Sequence, residues 1–144
     1  MLIATQSKHE LFTQELNQPI LKLDPTTVIN TPYLLFEAGP RGGSVINAIT
    51  ITTDDALARL LHIYESTSGY DFHKTTVSLP VSTPYGTDGT NPELDIISNL
   101  RGTRIDGAGN RSFYLAPGKS LKVAISVALA TSKFMCIRVY GENY

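Results

Sequence analysis

The sequence predicts an all-β fold: a single-domain antiparallel β-sandwich or jelly roll with an irregular N-terminal arm. Three observations carry that prediction. Apolar and polar residues alternate with period two over several short stretches. Those stretches are rich in β-branched and aromatic residues. Loops with many Gly and Pro separate them, 11 and 8 of each in 144 residues, which keeps every element short. No repeat of about 20–50 residues is visible, which disfavours a propeller or solenoid.

Residues 1–30 form the arm. Leu2 and Ile3 open a short apolar run, and Pro19, Pro25 and Pro32 punctuate the chain beyond it. Ile20 to Leu23 and Thr27 to Ile29 read as short edge strands, since Pro confines a strand to an edge. The arm lies on the main body as a first strand pair, or it reaches a neighbouring subunit. Residues 31–144 form the sandwich domain.

Tyr33 to Glu37 is its first strand. Ala38 to Gly43 is a loop whose glycines invite comparison with a phosphate cradle. The Walker pattern ends in Gly-Lys-Ser/Thr, whereas here Ser44 comes directly after Gly43 with no lysine, so nucleotide binding is not expected. Ser44 to Thr52 is a strand with Val45, Ile49 and Ile51 on one face, Thr50 and Thr52 on the other, and Asn47 as the exception. Thr53 to Glu65 fits two patterns. Ala56, Leu57, Leu60, Leu61 and Tyr64 make a helical face that Thr53 would cap. Leu57, Leu61 and Ile63 make a strand face, with Arg59 and Glu65 as intruders. The strands on either side favour the strand.

Tyr70 to Phe72 and Lys74 to Val81 are extended, with Thr75, Val77 and Leu79 alternating. Thr83 to Pro92 is a loop, and Leu94 to Ile97 a strand. Residues 98–112 form a loop holding Arg101, Arg104 and Arg111, suited to a phosphate or a carboxylate patch on a partner. The plainer reading is a solvated loop balanced by Asp95 and Asp106. Ser112 to Leu115 is a strand and Ala116 to Lys119 a turn. Leu121, Val123, Ile125, Val127 and Leu129 then alternate without interruption. The opposite face, Lys122, Ala124, Ser126, Ala128 and Ala130, is small enough to be covered by another subunit. Phe134 to Tyr140 returns with Met135, Ile137 and Val139 inward, completing a hairpin.

Composition restricts function. Lys plus Arg is 12 and Asp plus Glu is 13, a net charge of −1, which argues against a strongly basic nucleic-acid binder. No apolar stretch approaches the roughly 20 residues of a membrane helix. The N-terminus lacks the basic start and long apolar centre of a secretion signal. Without one, the sequon Asn110-Arg111-Ser112 reads as a chance match. The single cysteine, Cys136, forms no intramolecular disulfide and reads as a small buried hydrophobe. His9, His62 and His73 stand outside any His-X-His or His-Glu-X-X-His pattern, and His62 reads as a packed or interface histidine. Asp54-Asp55 and Glu93/Asp95 are the carboxylate pairs, the first more simply a turn or a helix start. No enzyme, cofactor or metal is expected.

The stretch Tyr33 to Tyr144 resembles small β-sandwich virion proteins of tailed bacteriophages. The similar features are the apolar strand and Gly-rich loop of Leu34 to Gly43 and a central stretch ending in Leu79-Pro80. The ending is similar too: Leu115-Ala116-Pro117-Gly118-Lys119-Ser120-Leu121-Lys122-Val123, closed by Val139-Tyr140-Gly141-Glu142-Asn143-Tyr144. The resemblance implies a capsid decoration, or cement, protein on the exterior of the virion, made in the host cytoplasm. It implies the major capsid protein as partner, a homotrimer as the favoured oligomer and no direct nucleic acid. The expected contact surfaces are the arm, the loop of Arg101, Arg104 and Arg111, and the outer face of residues 120–130 with Lys122 and Ser126. Two alternatives remain. One is a tail, baseplate or head–tail connector component. The other is a carbohydrate-binding sandwich using Tyr70, Phe72 and Tyr85, with no Trp to provide the strongest stacking ring. Exposed coplanar rings would favour sugar, and buried rings a scaffold.

Overall fold

The computed structural model describes residues 15–55, 59–79 and 94–144. The strands are β1 (Glu15–Asn17), β2 (Ile20–Leu23), β3 (Tyr33–Glu37), β4 (Ser44–Thr53), β5 (Arg59–Thr67), β6 (Tyr70–Leu79), β7 (Leu94–Asp95), β8 (Arg104–Ile105), β9 (Arg111–Leu115), β10 (Lys119–Ile125) and β11 (Met135–Asn143). One 3-10 turn, Ile97–Asn99, comes after β7. The strands form two antiparallel sheets packed face to face. The first has the order β1-β11-β4-β9-β8, with β2 also along β11 and β7 also along β4. The second has the order β3-β10-β5-β6.

The core lies between them. Ile46, Ile49, Ile51, Met135, Ile137 and Val139 point inward from the first sheet. Leu61, Ile63, Val77, Leu121, Val123 and Ile125 meet them from the second. Each such side chain contributes about 1.5–3 kcal/mol by leaving water.

The ambiguous segment is strand from residue 59 onward, and Leu61 and Ile63 point inward as the alternation requires. A long-range ladder decides it: His62, Ile63 and Tyr64 pair with Ala124, Val123 and Lys122 of β10. Leu57 and the loop Thr83 to Pro92 lie outside the described residues.

Three bulges shift the phase of the alternation. Asn47 is the extra residue of β4 where Tyr140/Gly141 of β11 face Ala48/Ile46. Ile46 and Ile49 therefore both point inward, and Val45 does not share a face with Ile49 and Ile51 as expected. Leu35 is the extra residue of β3, so Leu35 and Phe36 are both buried although adjacent. Lys74 is the extra residue of β6. An inserted residue bends the strand and reverses its faces beyond that point.

Other expectations are corrected. β10 and β11 do not form a hairpin. β10 pairs with β3 and β5, and β11 with β1, β2 and β4, so the chain crosses between sheets after Ile125. β10 stops there, and Val127 is exposed while Leu129 is buried. Two carboxylates hold the crossover. Asp55 Oδ2 accepts the Ala130 N–H at 2.9 Å and Asp54 Oδ1 the Phe134 N–H at 2.8 Å. Thr27 to Ile29 is not a strand: Asp24 caps a turn there, accepting from the Thr26 N–H. The Thr26 hydroxyl, first, holds that carboxyl below its ordinary value. The strand expected over Leu94 to Ile97 ends at Asp95, whose Oδ1 accepts the Ile97 N–H and starts the 3-10 turn.

Candidate binding surface

The sandwich has two unlike lateral sides. On one, β6 of the second sheet faces β9 and the 3-10 turn beside the first. Ile96, Ile97 and Leu100 enter the core there, and Asp95 Oδ1 also accepts the Ile49 N–H at 3.2 Å. The Lys74 ammonium lies 4.4 Å from the centre of the Phe113 ring and 3.5 Å from Glu65. A bulged lysine thus seals this side with its charge paired.

The other side is open. β1 and β2 edge the first sheet and β3 edges the second. Between them lies a solvent-facing groove of about 600 Å³, lined by Pro19, Ile20, Leu34, Phe36, Pro40 and Asn143 among others. The Asn17 side chain spans it, donating from Nδ2 to the Glu37 carbonyl at 3.2 Å and to Asn143 Oδ1 at 3.0 Å. Ser44 Oγ donates to the same Asn143 oxygen. Two of the lining residues, Ile20 and Leu34, are exposed, and the register turns them to the outer faces of opposite sheets, Ile20 opposite Arg138 and Leu34 opposite Lys122. Among the described residues eleven large hydrophobics are exposed, and five of them, Leu16, Ile20, Val28, Ile29 and Leu34, fall between the start of β1 and the end of β3. The sequence places the arm here, an expected contact surface, with Ile20, Val28 and Ile29 in its short strands and Leu34 in the first strand of the sandwich domain. The signal was present as apolar residues beside Pro19 and Pro32, where regular sheet pairing stops.

The five residues expected at contact surfaces belong to two separate segments. Arg101 lies just past the 3-10 turn, and Arg104 and Arg111 sit on β8 and β9, all three exposed. Ile105, not Arg104, pairs with Arg111, so the two guanidinium groups leave opposite faces of the hairpin. The segment is a braced hairpin rather than an open loop. Asp106 Oδ1 accepts the N–H groups of Asn110 and Ala108, which hold its carboxyl below the ordinary value. Lys122 and Ser126 belong to the outer side of the second sheet. Lys122 binds Asp71 at 3.1 Å, and Ser126 is half-buried with its N–H bonded to the Leu60 carbonyl. Ala124 is already buried within the single chain, so its small size needs no second subunit.

The structure also places the other chemical candidates. In the glycine loop, the Gly42 N–H binds the Tyr144 carbonyl and the Gly43 N–H the Gly39 carbonyl. Gly43 has φ +77, and a Cβ there would meet the Leu115 carbonyl oxygen at 2.5 Å. Close backbone packing thus requires that glycine. Burial, with Glu142 nearby, pushes the Tyr144 phenol up. Cys136 is half-buried rather than buried, because Met135 and Ile137 take the inward positions. Tyr70 and Phe72 are exposed neighbours, with ring centres 6.5 Å apart and planes tilted by 36°. Tyr85 lies outside the described residues. Among the described residues no three His, Cys, Asp or Glu side chains group around a metal position, and no helix is long and apolar enough to cross a membrane. No family model, no curated protein and no solved structure matches the chain.

Proposed function

We propose that the chain is a non-enzymatic structural protein of a bacteriophage particle, binding the capsid shell from outside as a decoration protein. The observation that supports this most is the groove between β2 and β3, with Ile20 and Leu34 exposed at its rims. A concave edge with an exposed apolar side chain on each rim suits a protein partner. The partner in this reading is the major capsid protein. A homotrimer would present three such sides at once, so modest individual contacts combine through multivalency.

Quantitative mass spectrometry of purified particles tests the reading. A copy number comparable to that of the coat protein supports it. A few copies per particle assign the chain to tail, baseplate or connector, and absence from particles removes the virion altogether.

Carbohydrate binding is the second reading, favoured by the exposed pair Tyr70 and Phe72. Their tilt gives a bent platform instead of a flat one, which weakens stacking of a sugar on both rings. Titration with oligosaccharides, with Tyr70→Ala and Phe72→Ala as controls, tests it. No saturable binding ends it.

A further inference from the structure

The outer face of the second sheet carries an arrangement that the shell-binding reading does not use. β5 and β6 place His62 opposite Thr76, and the bulge at Lys74 brings His73 back to the same neighbourhood. The Thr76 hydroxyl oxygen lies 2.9 Å from His62 Nδ1 and 2.9 Å from His73 Nε2. Two imidazole nitrogens thus converge on one point. The ring centres are 5.8 Å apart, and the Tyr64 ring meets His73 edge-on at 5.6 Å. Thr76 and His73 are exposed and His62 is half-buried, so the point is open to solvent. Lys122, on the same face, is paired with Asp71.

We propose that His62 and His73 bind one divalent transition-metal ion of the imidazole-preferring kind, such as zinc. Neutral imidazole suits such ions, and the outer face offers two from adjacent strands. Two imidazoles on one tetrahedral ion, with metal–nitrogen distances of about 2.0–2.1 Å, have ring centres about 5 Å apart. The observed separation exceeds this by less than the movement that side-chain rotation allows. The hydroxyl has a single proton, so it donates to one imidazole and accepts from the other. Metal binding exchanges that arrangement for two nitrogen lone pairs directed at the ion, through a change of tautomer at one ring. The remaining coordination positions face solvent and fall to water. The signal in the sequence was weak because the two histidines lie eleven positions apart, and only strand pairing with a bulge unites them.

Isothermal titration of the full chain with zinc chloride tests the proposal. The expected result is saturable binding of one ion per chain. His62→Ala and His73→Ala each weaken it by at least about tenfold, since loss even of a supporting partner costs that much. His9→Ala leaves it unchanged. His73 is exposed and His62 half-buried, and circular dichroism checks that each variant keeps its β fold. Zinc should also shift the ring resonances of His62 and His73 together. Absence of saturable binding, unchanged affinity in both folded variants, or loss of binding in His9→Ala alone would overturn the proposal.

Discussion

The two lateral sides of the sandwich solve one problem in opposite ways. A sandwich must cover the ends of its core wherever the sheets part. On the side of β6 and β9 the chain covers itself, with Ile96, Ile97 and Leu100 inserted and Lys74 laid over Phe113. On the side of β2 and β3 it leaves a groove bridged by the side chain of Asn17, with apolar residues facing outward. The first side is finished within the chain and serves stability. Among the described residues, the second leaves Ile20 and Leu34 exposed at the rims of its groove. Burial, rather than hydrophobicity, separates the two: Leu100 is 3% exposed and Leu34 is 53% exposed.

Substitutions can break that comparison. The largest effect is expected at Leu100→Ala, which opens a cavity in the closed side and costs about 2–5 kcal/mol by chemical denaturation. Asp55→Ala should come next at about 2–3 kcal/mol, because it removes a charged acceptor of the Ala130 N–H where the chain changes sheets. Lys74→Ala loses the contact with Phe113 and the ion pair with Glu65, and should cost about 1 kcal/mol. Leu34→Ala, on the open side, should shift stability by no more than about 0.5 kcal/mol. A large loss at Leu34, or none at Leu100, would remove the distinction between the sides.

Acid sharpens it further. The Ser66 hydroxyl and then the Lys122 ammonium hold the Asp71 carboxyl below its ordinary value. A carboxyl lowered by folding binds fewer protons in the folded state. Its contribution is therefore complete at neutral pH and fades as pH falls through the folded value. Asp71→Asn should flatten the acid limb of a stability–pH profile. An unchanged profile would show that the pair on the outer sheet face contributes nothing.

Much of this architecture was legible in the sequence. Strict alternation marked the inward faces of β10 and β11, since Leu121, Val123, Ile125, Met135, Ile137 and Val139 are all buried. Pairing was not legible. Two adjacent alternating strands suggest a hairpin, yet here they join opposite sheets, and the deciding contacts come from Asp54 and Asp55 about 75–80 positions away. The bulges were hidden for a related reason: an extra residue is defined by the partner strand, so Asn47 looked like a lone exception. The groove side was the least visible part. Leu34 sits in an ordinary strand pattern, and its exposure follows from its register opposite Lys122 on the outer side of the second sheet. The arginines drew attention through charge, and their strand positions then separated them.

Co-sedimentation of the Ile20→Asp/Leu34→Asp double variant with capsids assembled without the protein tests the central claim most directly. Wild-type protein serves as the reference, and thermal unfolding confirms that the variant is folded. The account predicts that wild type pellets with the capsids while the folded variant stays in the supernatant. A folded variant that pellets like wild type would contradict the claim that the open side is the surface that binds.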